Sequence, residues 1–296
     1  MPHGFSNGGM RKMATNFDLL GSYWTLAGGG AEPHTDHEYC PWDLRQRAEA
    51  AGRAGFTGMG IWYADLIHTL KTRSLKDMKQ IFNDNGIQHI ELEFLQGWFA
   101  DGEERKVSDA ERRKFFEAAD VLRPHHIKVG SFVKTSATMQ KMIESFAELC
   151  ADAAKHGALI GFELMPFCDI DSIEKAMQLV DGAGAKNGGI CLDLWHIAKL
   201  KVPYEKIARM PLHAITSIEI NDGTHECAWS LHEDTINHRL LCGEGEFEPK
   251  RFVAEILKTG YNGPWGIEVL NAELRKKPLK EIATSSYKTT RAQFPA

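Results

Sequence analysis

The chain has 296 residues, 43% hydrophobic and 25% charged, with a formal net charge of −5, an ordinary globular balance that excludes disordered and fibrous classes. Lysines and arginines are scattered, so no basic stripe can neutralise a phosphate backbone, and duplex nucleic acid is not an expected partner. No apolar run approaches the roughly 18 residues of a membrane span. The six cysteines form no C-x-x-C pair and read as small buried hydrophobes of a reducing, cytoplasmic compartment.

Residues 1–16, MPHGFSNGGMRKMATN, lack an apolar h-region and are expected to form a flexible N-terminal arm. From residue 17 to 296, short apolar runs alternate with amphipathic stretches in what reads as one domain. Strands are expected at 17–24, 57–62, 88–94, 126–131, 159–164, 188–194, 215–220 and 265–270. Helices are expected near 42–54, 73–85, 109–122, 137–156, 171–183, 203–209, 249–259 and 278–294. Over 137–156, Met139, Met142, Phe146, Leu149 and Ala153 recur at three- and four-residue steps, the mark of an amphipathic helix.

Strands and helices in strict alternation imply parallel βα units, hence a closed barrel or a doubly wound sheet. Even strand spacing and the lack of G-x-G-x-x-G after the first strand favour an α/β fold of the (β/α)₈ TIM-barrel type. Gly55, Gly86, Gly157 and Gly263 are expected to end helices just before a strand. The stretch 221–248 has no clear period, and loops of that length tend to be functional.

The informative charges fall at strand ends. Strands five to eight carry Glu163 (GFELMP), Asp193 (ICLDLWH), Glu219 (SIEIND) and Glu268 (GIEVL) within otherwise apolar phrases. In a barrel these ends converge at the mouth, where active sites of this fold sit. A strand buried on both faces should be unbroken Val, Ile and Leu. Ionised carboxylates there need partners, and a set of oxygen ligands suits one hard divalent ion, Mn²⁺ or Mg²⁺. The two-residue side-chain period puts Glu219 toward that ion and Asp222 at the start of the following loop.

The phrases GFELMP, LDLWH, IEIND, RLLCGEGEF and GPWGIEVL resemble the xylose-isomerase-like TIM-barrel superfamily of sugar isomerases and epimerases, over roughly residues 17–295. The resemblance implies metal ligation by Glu163, Asp193, Glu219 and Glu268, with Glu219 where His is usual. It implies that Glu163 and Glu268 also move protons and that His196, three residues after Asp193, contacts substrate. The strand-two Glu often seen in the superfamily is replaced here by Gly58-Met59-Gly60-Ile61-Trp62.

Other candidates are less specific. Arg239 suits a substrate oxygen or a phosphate. Lys128 either faces the substrate or pairs with Glu91 or Glu93. His34, Asp36 and His37 follow strand one and could line the mouth, and Trp24, Trp62 and Trp98 could form apolar pocket walls.

The leading expectation is a metal-dependent isomerase or epimerase of a ketose or keto-sugar, acting through an enediolate. Its rival is a lyase or dehydratase that begins with the same proton abstraction but expels a β-substituent from a keto-sugar, keto-polyol or oxidised C-glycoside. Abasic-site DNA cleavage would need a His-rich zinc cluster and a basic surface, and a non-catalytic sugar-binding barrel would not need the carboxylates. The expected partner is a small keto-sugar or related polyol, with room for a homo-oligomer or a partner subunit, and neither nucleic acid nor membrane.

Overall fold

The computed structural model describes residues 17–295; the proposed arm at 1–16 lies outside them. Eight parallel strands close in sequence order into a barrel. They are β1 (Leu19–Gly21), β2 (Gly58–Trp62), β3 (His89–Leu95), β4 (His126–Val129), β5 (Leu159–Glu163), β6 (Gly188–Asp193), β7 (Ile215–Ile220) and β8 (Trp265–Ile267). β1 pairs with β8 through Leu19–Trp265 and Gly21–Ile267, which completes the closure.

The outer helices follow the predicted pattern, and their ends obey capping chemistry. Asp43 and Gln46 form a capping box on Leu44–Ala54, and Thr138 caps Met139–Lys155. Gly55 at φ 113° and Gly157 at φ 67° reverse the chain into β2 and β5. Gly263 does not have this conformation; Gly260, at φ 84°, turns the chain after Pro249–Lys258 instead.

Several boundaries differ from the sequence expectation. β1 and β8 are short because the chain leaves the sheet early. Tyr23–Leu26 forms a helical turn, and Glu268 stands just past its strand. The helix expected at 109–122 begins at Gly102, and its polar first turns are held by pairs such as Arg105–Asp109 and Lys106–Glu103. The stretch 221–248 contains the helix Leu231–Asn237, capped by Ser230. All six cysteines are free, five of them buried. Among the described residues no helix is long and apolar enough to cross a membrane.

Candidate active site and metal centre

The barrel mouth is built on the ends of β5 to β8. Cross-strand register puts Glu163 beside Cys191, Asp193 beside Glu219, and Glu219 beside Gly266. Gly266 is required there, because a Cβ would lie 2.8 Å from the Glu219 Cγ. One oxygen each from Glu163, Asp193, Glu219 and Glu268 falls within 4.8 Å of the others. Ligand oxygens about 2.1 Å from a Mg²⁺ ion would be about 3 to 4 Å apart, so the four fit one hard cation. Glu163 Oε1 is buried without a hydrogen-bond donor among the described residues, which leaves a ligand atom unclaimed.

Three of the four carboxylates, Asp193, Glu219 and Glu268, have lysine or arginine partners. Lys128 Nζ on β4 donates to Glu219 Oε1 at 2.8 Å and Glu268 Oε1 at 2.7 Å, and lies 3.1 Å from Glu93 Oε2. The sequence alternatives for Lys128 therefore coexist: it faces the cavity and it pairs with Glu93. Arg239 Nη1 donates to Asp193 Oδ2 at 2.6 Å and Glu268 Oε2 at 2.8 Å, while Nε and Nη2 donate to Thr235. Arg239 lines the cavity, but its fork holds carboxylates rather than standing free for a phosphate.

These pairings set the protonation pattern. Burial alone would raise the Glu163 carboxyl, but Lys128 and His196 outweigh it and hold it below its usual range. Asp193 is likewise held low against burial, by Arg239 and His196. Glu268 is pushed well up, because burial and the charges of Glu163 and Asp193 exceed the help of Lys128 and Arg239. Glu219 is raised by burial and by Glu268, and Glu93 is raised to about 8 by burial and by Glu91, against Lys128. The mouth thus holds more carboxylates than cations, a deficit that protons or a divalent ion would fill.

The chain after β6 builds a compact turn. Asp193 caps the helix Leu194–Lys199 by accepting from Trp195 N–H at 2.6 Å, and it also accepts from Asn221 Nδ2 at 3.0 Å. This turn brings His196 Nε2 to 3.4 Å from Glu163 Oε1. On β7, Glu219 points inward, taking a hydrogen bond from Ser22 Oγ as well as from Lys128. Asp222 sits at the loop start, accepting from the backbone of Gly223, Gly243 and Phe247, and so ties down the GEGEF turn.

The cavity above these groups is narrow, about 40 Å³, and is walled by Trp24, Trp62, Phe94, Phe132 and Phe167. Trp24 and Trp62 occupy the predicted places. Trp98 does not: it is buried against Phe99, Phe146 and Phe162, behind the barrel wall. His34 reaches the cavity, whereas Asp36 and His37 are exposed on the loop.

Sequence reasoning missed Glu93 as a site residue, and also Phe94, Phe132, Phe167 and Asn221. The signal for Glu93 was present in His-Ile-Glu-Leu-Glu-Phe, where two carboxylates two apart share one face of an apolar strand. A register shift between Leu92 and Leu95 lets Phe94 face the cavity as well. The absent strand-two carboxylate has a counterpart here, since Gly60 leaves the room that the Glu93 carboxylate occupies.

Comparison with known proteins places this geometry in context. The chain is 26% identical to a 3-dehydroshikimate dehydratase of Pseudomonas aeruginosa over 254 residues, covering 83% of this chain and 39% of that protein. It therefore spans about two fifths of that relative's length. An inosose isomerase of Bacillus velezensis is 22% identical over 260 residues, 84% of this chain and 91% of that one. Among solved structures, the IolI protein with a bound zinc atom superimposes with a TM-score of 0.77 at 19% identity, covering 93% of this chain and 97% of that one. The sequence profile of the xylose isomerase-like TIM barrel matches residues 48–291. With that match over most of its length and the closed eight-stranded barrel, the chain belongs to the xylose isomerase-like TIM-barrel family.

Proposed function

We propose that this protein is a metal-dependent isomerase or epimerase that removes a proton next to the carbonyl of a ketose, keto-sugar or keto-polyol and returns it. The observation that carries this reading is the pair Glu163 and Glu268. They come from the ends of β5 and β8, line one cavity and each place an oxygen in the same cluster of four carboxylates. A divalent ion held by Glu163, Asp193, Glu219 and Glu268, Mn²⁺ or Mg²⁺ by the hardness of the ligands, would acidify the C–H beside a bound carbonyl and stabilise charge on its oxygen. The zinc atom bound by the IolI protein, which has the same fold, is consistent with a metal-dependent reading.

The chain's own residues then have distinct tasks. Glu163 takes the proton, and Glu268 returns one to the other face of the same carbon. His196, beside Glu163, holds a substrate hydroxyl. Lys128 and Arg239 keep Glu219, Asp193 and Glu268 from swinging out of register. Trp24 and Trp62 exclude water from one side of the cavity. The loops carrying His34, Phe132 and Phe167 border this cavity.

β-Elimination is the second reading. It is favoured by the dehydratase relative and by His196, which is placed to protonate a departing hydroxyl next to the base Glu163. Incubation of Mn²⁺-loaded protein with a panel of keto-sugars and keto-inositols separates the two. Isomerisation or epimerisation yields a product of unchanged mass, whereas elimination yields an unsaturated ketone that absorbs in the ultraviolet. If no ketose or keto-polyol gives either product, both readings fail.

A further inference from the structure

Four Lys or Arg residues are buried: Arg47, Lys128, Arg239 and Arg275. Carboxylates match three of them. Arg47 Nη2 is 2.6 Å from Asp65 Oδ2, Lys128 is shared among Glu93, Glu219 and Glu268, and Arg239 lies between Asp193 and Glu268. Arg275, at the end of the short helix Ala272–Arg275 after β8, forms no ion pair among the described residues. Burial holds its guanidinium below the usual range, and the charges of Glu32 and Glu233 oppose this only in part. A buried cation with no counter-ion is costly. Its Nη1 donates to Ile236 O at 2.8 Å and its Nη2 to Asn237 Oδ1, at the end of the helix Leu231–Asn237. A guanidinium carries more N–H donors than these two bonds use, and the others have no acceptor among the described residues.

That side chain faces an open space. Arg275 and Lys276 line a cavity of about 420 Å³, closed on its other side by Gly29, Gly30 and Thr35 of the loop after β1. Gly29 lets the loop come close, since a Cβ there would lie 3.1 Å from the Arg275 carbonyl oxygen. Lys276 is paired only with the exposed Glu273, a contact of little worth that it can leave to turn inward. The one acidic lining group among the described residues is Glu32, which is exposed, so solvent screens its charge. Pro33 and Ile236 line both this cavity and the one above the carboxylate cluster, and so stand between them.

We infer that the cavity at Arg275 is a second ligand site, distinct from the carboxylate cluster, that binds a compact oxyanion such as a phosphate group. The anion supplies the counter-ion that Arg275 lacks, through charge-assisted bonds to the unused part of its planar fork. Lys276 adds a second positive charge at the rim. The carboxylate cluster on the other side of Pro33 and Ile236 carries an excess of negative groups and repels such a ligand. The inference goes beyond the reaction proposed above and does not depend on it.

Titration calorimetry of the Mn²⁺-loaded protein at low ionic strength tests it, with inorganic phosphate and glycerol 3-phosphate as probes. Saturable binding of at least one is expected, weakened at least about tenfold in Arg275→Gln, the scale of a lost hydrogen bond between charged groups. Because Arg275 also holds the end of the helix Leu231–Asn237, two variants that leave its bonds intact accompany it. Lys276→Gln should weaken binding and Glu32→Gln should tighten it, each about twofold, as befits exposed charges, with Tm near wild type in both. Tighter binding of glycerol 3-phosphate than of phosphate identifies the ligand as a small organic phosphate, and equal binding identifies it as the free ion. Binding of neither probe overturns the inference. So does binding that survives intact in Arg275→Gln, which would put the anion on the metal or elsewhere, or binding that Glu32→Gln weakens.

Discussion

Lys128 on β4 reaches across the barrel interior to Glu219 on β7, with Nζ 2.8 Å from Oε1 and both side chains essentially unexposed. The pair puts a cation beside the one ligand position where the family resemblance leads one to expect histidine. A neutral imidazole needs no such partner, whereas a fourth carboxylate does, because four buried negative charges repel one another.

Removing that cation is therefore costly. In metal-free protein, Lys128→Met is expected to destabilise the fold by about 3 to 5 kcal/mol, the range for stranding buried partners. Adding Glu219→Gln to that variant should restore at least about 1 kcal/mol, since the two share one interaction. Urea denaturation of the four proteins of the cycle measures this, and additive effects would show the pair to be uncoupled.

The ligand assignment predicts selective loss of metal. Wild-type protein should carry close to one divalent ion per chain by elemental analysis, and Glu163→Gln, Asp193→Asn or Glu268→Gln should each carry far less. Glu163→Gln is the cleanest of the three, because Glu163 has neither an Arg nor a Lys hydrogen-bonded to it and its Oε1 accepts no bond that Gln would break. Its Tm without metal should stay within a few degrees of wild type. Full metal content in all three variants would place the ion elsewhere.

His126 predicts acid sensitivity of the fold. Burial, with Lys128 nearby, lowers its imidazole to about 3, from an ordinary value near 6.5. The unfolded chain therefore takes up this proton first. The stability contribution is complete above about pH 6.5 and is lost as pH falls, by about 1.4 kcal/mol per unit. His125, lowered to about 4 by burial and by His126, acts in the same direction. Urea midpoints at pH 7.5, 6 and 5 should fall more steeply for wild type than for His126→Gln, and parallel slopes would count against it.

His196 is assigned to substrate rather than to the ion. His196→Ala should raise KM or lower kcat by tenfold or more while metal content stays near one per chain. Loss of the ion in this variant would move His196 into the ligand set.

Much of this was legible in the sequence, because a charge inside an apolar strand is conspicuous and a strand's period of two fixes where it points. Glu163, Asp193, Glu219 and Glu268 were found in that way, and the alternation of strands and helices gave the barrel. What escaped depends on contacts far apart in the chain. Lys128 and Glu219 are separated by 91 positions, and Arg239 and Asp193 by 46, and no local pattern announces such pairs. Trp98 was misplaced because proximity to a strand end does not say which side of the barrel wall a ring packs against. The first turns of the helix at Gly102–Leu122 carry charge pairs instead of an apolar stripe, so periodicity missed them.

Hydrogen exchange at carbon is the most direct test of the central claim, that Glu163 and Glu268 move a proton next to a carbonyl. Mn²⁺-loaded protein and a keto-sugar that it turns over are incubated in D₂O and followed by NMR. The account predicts either deuterium at one carbon beside the carbonyl, in substrate and product alike, or loss of that C–H with release of an unsaturated ketone. It also predicts that Glu163→Gln and Glu268→Gln slow this step at least a hundredfold. Turnover that leaves every such C–H bond intact, as hydride transfer from a carbinol or hydrolysis would, contradicts it.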